Sequence, residues 1–143
     1  MKIAILDTDI LSYVLDRKHS EVTAQARQYL RVFRRFSVST LTLAESIQGI
    51  VKKPRYPDEL AAFMKESETF EVFPLYREEA TLAGHILGQL LRTGQQIGPH
   101  DPFIAATAIE NDRVLITNNS GHYQRIIDLG FPLEIENWRE TGG

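Results

Sequence analysis

Short apolar runs alternating with helix-like stretches constrain this 143-residue chain more than any other feature. Ile3–Leu6 is one such run, stopped by Asp7. Further brief strands are expected at Phe36–Ser39, Phe70–Leu75, Val114–Thr117 and Leu133–Ile135. Helical patterns fill the intervals: one starting near Asp9, then Ser20–Arg35, Leu43–Val51, Glu59–Glu68, Arg77–Leu91, Pro102–Glu110 and Tyr123–Leu129. Strands this short and this apolar need cover on both faces, so the expected fold is α/β, a three-layer α/β/α sandwich around a mainly parallel central sheet. Ligands of such sheets bind beyond the carboxyl ends of the strands, near the switch in strand order. Asp7 and the Thr117-Asn118-Asn119 run both follow strands and fall on that edge.

Local signals punctuate the helices. Ser20 is expected to cap its helix, with Ala24, Leu30 and Phe33 on the apolar face. Thr40 or Thr42 leads into the next helix, Asp58 caps the one after, and Asp101 precedes Pro102 in an N-terminal pattern. Ala80, Gly84 and Gly88 suggest close helix packing.

Length and an apolar fraction of 43% suit a single domain spanning residues 1–143. With no cysteine, a disulfide scaffold, a thiolate zinc site and a cysteine nucleophile are excluded. No apolar run approaches the roughly 20 residues that span a bilayer. Asp7 interrupts the N-terminal apolar stretch, which therefore does not read as a signal peptide, so a cytoplasmic protein is expected. Net charge is −3, unlike that of a general nucleic-acid binder. Residues 17–55, however, hold nine Lys/Arg against Glu21 and Glu45, a basic lobe on an acidic body.

Three carboxylates carry the candidate chemistry. Asp7 ends a buried strand, where an ordinary role is to cap the following helix. Asp101 opens an apolar helix and could be its N-cap. Glu45 lies opposite the Leu43, Ile47, Ile50 stripe, which by itself describes a solvated face. Brought together, these acids would repel, and a divalent cation would remove the conflict. Hard oxygen donors without Cys or paired His suit Mg²⁺ or Mn²⁺ better than zinc. The matching chemistry is phosphodiester hydrolysis by an activated water. His19, His85, His100 and His122 show no metal-ligand spacing and are expected on the surface or in packing. Tyr13, Tyr76, Tyr123 and Trp138 are scattered and form no stacking platform.

The runs Ile3-Ala4-Ile5-Leu6-Asp7-Thr8-Asp9, Ser39-Thr40-Leu41-Thr42-Leu43-Ala44-Glu45, Ile97-Gly98-Pro99-His100-Asp101 and Leu115-Ile116-Thr117-Asn118-Asn119, in this order, resemble a PIN domain of the VapC type. The resemblance extends from Met1 to about Trp138. It implies a Mg²⁺- or Mn²⁺-dependent ribonuclease toxin of a type II toxin–antitoxin pair. Asp7 and Asp101 would be metal ligands, Glu45 the second acid, and Thr117 with Asn118 and Asn119 the loop completing the pocket, Asn119 being counted with the catalytic set. It also implies a VapB-like antitoxin partner, a homodimer, and DNA contact only through the antitoxin. Two departures stand out. Asp9 occupies a position where Asn or Ser is common, and Asn118-Asn119 replace the fourth acid of many PIN domains, which leaves fewer anionic ligands for a second metal.

Two other readings remain at this level. One is a non-catalytic PIN-like binding module. The other is a haloacid-dehalogenase-like phosphatase using Asp7 as nucleophile in Asp7-Thr8-Asp9, although bulky Leu11 replaces the expected small residue.

Overall fold

Alternation along three-residue strands determines which face each side chain takes. In β1 (Ala4–Leu6), Ala4 and Leu6 enter one apolar cluster and Ile5 another; in β4 (Val114–Ile116), Val114 and Ile116 divide from Leu115 in the same way. The sheet therefore has a core on each side, as a three-layer sandwich requires. The computed structural model describes residues 1–140; residues 141–143 of the expected single domain lie outside the described part.

The remaining elements are α1 (Thr8–Asp16), α2 (Ser20–Phe33), β2 (Ser37–Ser39), α3 (Thr40–Val51), α4 (Tyr56–Ser67), β3 (Glu71–Phe73), α5 (Arg77–Arg92), α6 (Asp101–Glu110), α7 (Ser120–Asp128) and β5 (Ile135–Glu136). Every strand pair is parallel: β1 with β4, β4 with β5, and β2 with β3. The ladder is split, with β1-β4-β5 hydrogen-bonded as one sheet and β2-β3 as a second. At the seam, the buried Tyr29 hydroxyl accepts from the Ala4 N–H (3.0 Å) and donates to the Ala4 carbonyl (3.1 Å). A phenol thus satisfies backbone groups that a neighbouring strand would otherwise pair.

Helices α1 to α4 cover one face through residues such as Leu11, Val22, Ile47 and Phe63. Helices α5 to α7 cover the other through Ala83, Ile86, Ile104 and Ile126. Because β1 pairs with β4 rather than with β2, the order of connection reverses there, and the carboxyl ends of these two strands meet at the reversal.

Several local expectations are corrected. Helix α2 is preceded by His19, whose side chain makes no cap bond, and Ser20 is its first residue. Val22, Ala26 and Tyr29 form its buried face, whereas Ala24 and Leu30 are exposed, because the helix packs about one position away from the face first assigned. Ser39 caps α3 by accepting from Thr42 N (3.0 Å). Helix α4 starts at Tyr56, with Pro57 pre-set in its first turn, so Asp58 lies inside the helix rather than capping it. Ala80, Gly84 and Gly88 face outward, and nothing lies within 4 Å of a Cβ added at either glycine. Helix α7 begins at Ser120, and the last strand is shifted to Ile135–Glu136.

Candidate active site

Asp7 immediately follows β1, and its backbone N–H still extends the sheet by bonding the Ile116 carbonyl (2.9 Å). Its side chain then caps α1: Oδ1 accepts from Thr8 N (2.8 Å) and Oδ2 from the Thr117 hydroxyl (2.8 Å). The expected capping role is real and coexists with a place in the site. Asp7 is only 6% exposed. Burial, then the charge of Asp9, raises its pKa to about 7, with Asp101 adding to the rise and the bonds from Thr117 and Thr8 opposing it.

Asp9 belongs to the same cluster. It accepts from Ile10 N (2.7 Å) through Oδ1 and from Asn118 N (3.2 Å) through Oδ2. Burial, with a contribution from Asp101, raises its pKa as well. The sequence marks Asp9 as a departure from the usual Asn or Ser; the structure makes it a third interacting aspartate.

Asp101 is not the N-cap of α6. His100 holds that position without a side-chain bond, and Asp101 is the first helical residue. Its carboxylate instead accepts from Tyr123 Oη at Oδ1 (3.2 Å) and from Gly98 N at Oδ2 (3.2 Å). Glycine suits position 98, since a Cβ there would stand 3.0 Å from Asp101 Oδ2 and the carboxylate would have to give way by a few tenths of an ångström. Tyr123 is fully buried; burial, followed by the Asp7 and Asp101 charges, pushes its phenol well above the ordinary value, so it remains a donor.

Glu45 joins from α3. Its Oε1 accepts from the Thr8 hydroxyl (2.7 Å), and its Oε2 lies 3.2 Å from His100 Nδ1. Helix α3 therefore crosses the edge of the site, an arrangement that spacing could not reveal. His122 Nδ1 stands 3.5 Å from Asp101 Oδ2 and 2.9 Å from Asn119 Nδ2. His100 and His122 are thus corrected from surface or packing residues to partners of the acids. Asn119 reaches the centre indirectly: its amide meets His122 and its backbone N–H donates to Thr117 Oγ1 (2.9 Å).

Among the described residues, no group of three or more His, Asp or Glu side chains is arranged to hold a metal ion. The donor set nevertheless suits a hard cation. Asp7 and Asp101 offer oxygens that each keep an unused lone pair, and Asp7 is held in a burial that penalises its own charge. A groove of about 890 Å³ runs between α1, α2, α3 and α4, with Thr8 and Glu45 in its lining, apolar walls such as Leu15 and Phe63, and cations including Arg17, Arg27 and Lys52.

A family model described as PIN domain matches residues 4–127. Ribonuclease VapC2 of Haemophilus influenzae is 30% identical over 135 residues, covering 94% of this chain and 96% of that protein. The tRNA(fMet)-specific endonuclease VapC of Shigella flexneri is 28% identical over 135 residues, with the same two shares. Among solved structures, VapBC-1 from nontypeable Haemophilus influenzae superposes with a TM-score of 0.81 at 28% identity, over 96% of this chain and 99% of that one.

Proposed function

The chain belongs to the PIN-domain family, in its VapC branch, and from that premise we propose that it is a Mg²⁺- or Mn²⁺-dependent ribonuclease toxin neutralised by a VapB-like antitoxin. The observation that carries the reading is the buried Asp7 coupled to Asp9 and Asp101 at the sheet's switch point. Asp7 and Asp101 are the residues that would hold the cation. When bound, such an ion lowers the pKa of a coordinated water and polarises a phosphoryl oxygen.

The chain's own groups supply the rest. Tyr123 and Gly98 fix both oxygens of Asp101, and Thr117 with Thr8 N fixes Asp7, so neither carboxylate reorients during the reaction. Thr8 and His100 hold Glu45 from two sides, which orients Glu45 to take a proton from the attacking water as general base. The water oxygen bonds to phosphorus, one P–O ester bond breaks, and the departing ribose oxygen takes up a proton from solvent.

A solved structure from Klebsiella pneumoniae that shares the fold, with a TM-score of 0.64 at 25% identity, is a toxin–antitoxin complex by its name. In this chain, the groove beside Glu45 offers an apolar, cation-rimmed path for an antitoxin segment. The outward face of α5, with Leu87 and Leu91 exposed beside Gly84 and Gly88, suits a second copy in a homodimer. No helix among the described residues is long and apolar enough to cross a membrane, and the toxin is read as acting in the cytoplasm, where its RNA lies. The phosphatase alternative requires an accessible Asp7, which burial and two hydrogen bonds oppose.

The test is incubation of purified, antitoxin-free protein with total cellular RNA, in Mg²⁺ or Mn²⁺ and in EDTA, beside Asp101→Asn. Discrete fragments that need the metal and vanish in the variant are expected. Fragments that persist in EDTA or in the variant would refute the mechanism. No cleavage by folded wild type would favour the non-catalytic binding module.

A further inference from the structure

Asp9 and Tyr13 lie one turn apart on α1 and share a face of the helix. Over the Tyr13 ring sits the guanidinium of Arg139, 5.1 Å from the centroid, with Nη1 donating to Tyr13 Oη (3.4 Å). His19 meets the same ring edge-on, with centroids 4.2 Å apart. Tyr13 does not line the groove on the other side of α1.

Arg139 is placed by structure on both sides of it. Trp138 is buried in the core against Tyr29. Asn137 Oδ1 accepts from Arg139 N (2.9 Å), while its Nδ2 donates to Asn118 Oδ1 (3.1 Å), and Asn118 N donates to Asp9 Oδ2 (3.2 Å). A continuous run of hydrogen bonds therefore ties the backbone of Arg139 to the acidic centre. Among the described residues, no carboxylate pairs with Arg139. Trp138 already anchors this segment, and an exposed cation–π contact adds little to its stability.

A polyanion approaching a cluster of carboxylates is repelled unless a cation stands beside them without quenching them. A guanidinium stacked on an aromatic ring meets that need, because its remaining edge donors stay free for phosphate oxygens and its outer face can stack on a base. We propose that Arg139, held over Tyr13, forms a nucleotide subsite that takes the phosphate and base next to the scissile bond of an RNA strand. This rests on the ribonuclease reading above.

The experiment measures cleavage kinetics in Mg²⁺ at several salt concentrations, on an RNA fragment spanning a site mapped with the wild type. Arg139→Ala is expected to raise KM about tenfold or more with kcat within about twofold, at unchanged Tm. The log–log salt dependence of kcat/KM should become shallower by about 0.7, the share of one phosphate contact on a single strand. Arg139→Lys should keep the salt slope but recover only part of the KM. Arg92→Ala, an exposed cation on α5, should change neither. An Arg139→Ala enzyme with wild-type KM and salt slope, or a loss matched by Arg92→Ala, overturns the subsite while leaving the ribonuclease in place. A wild type that cleaves no RNA overturns both.

Discussion

Asp7 carries two duties that pull its charge in opposite directions. As a helix cap and an acceptor from Thr117 it benefits from ionisation, yet burial and two neighbouring acids hold its pKa near 7. The folded metal-free chain thus keeps this proton to about pH 7, where an unfolded aspartate releases it near 3.8. The stability it contributes is complete below about pH 4 and is lost as pH rises through about 7. Asn at this position retains the cap and removes the titration. Asp7→Asn should therefore flatten the pH–stability curve and leave the metal-free protein more stable than wild type at pH 8, with about 4 kcal/mol as the ceiling. Calorimetry in EDTA from pH 4 to pH 8 measures this, and an Asp7→Asn protein that melts below wild type at pH 8 would refute it. The sequence displayed Asp7 and Asp101 because each sits at a strand end or helix start, whereas Glu45, inside α3, reads by itself as a solvated face and stands out only through the family resemblance. It concealed Asp9, Tyr123, His100 and His122, because their roles are contacts between elements far apart in the chain. Tyr123 lies 22 positions from the carboxylate it holds.

Among the elements, the seam between β1 and β2 is closed by one phenol. Removing the Tyr29 hydroxyl leaves a buried N–H and a buried carbonyl of Ala4 without that partner, in a place water does not reach. Tyr29→Phe should cost about 1–3 kcal/mol in denaturant unfolding while keeping the ring's contacts with Phe33 and Trp138. A loss under about 0.5 kcal/mol would mean the two strands close their own gap. Element types were readable because apolar runs of three or four residues and helical stripes differ in period. Helix starts were less readable: α4 and α6 begin where a proline and tertiary contacts dictate, not at the nearest capping residue. The outward turn of Ala80, Gly84 and Gly88 was likewise hidden, since small residues pack closely only when another element lies opposite them.

For the whole molecule, cation binding and folding must be linked if Asp7 and Asp101 form the proposed site. Metal that binds only the folded chain stabilises it by mass action, about 2.7 kcal/mol at a hundredfold excess over Kd. Mn²⁺ should therefore raise Tm, and raise it more at pH 8 than at pH 5.5, because the proton on Asp7 competes with the ion. An Asp101→Asn protein should show little of this shift. A Tm indifferent to Mn²⁺ at pH 8 would count against the assigned ligands.

The uniform direction of the strands also governs where the protein can be held. The chain enters β1 at the edge opposite the carboxylates and, after β5, emerges on the carboxylate side, where Asn137 and Arg139 border the site. The two sides of the sheet are therefore not equivalent as points of attachment. A label placed on the side where β1 begins leaves the acidic edge facing solvent, whereas the same label at Arg139 or Glu140 extends from the site's own rim.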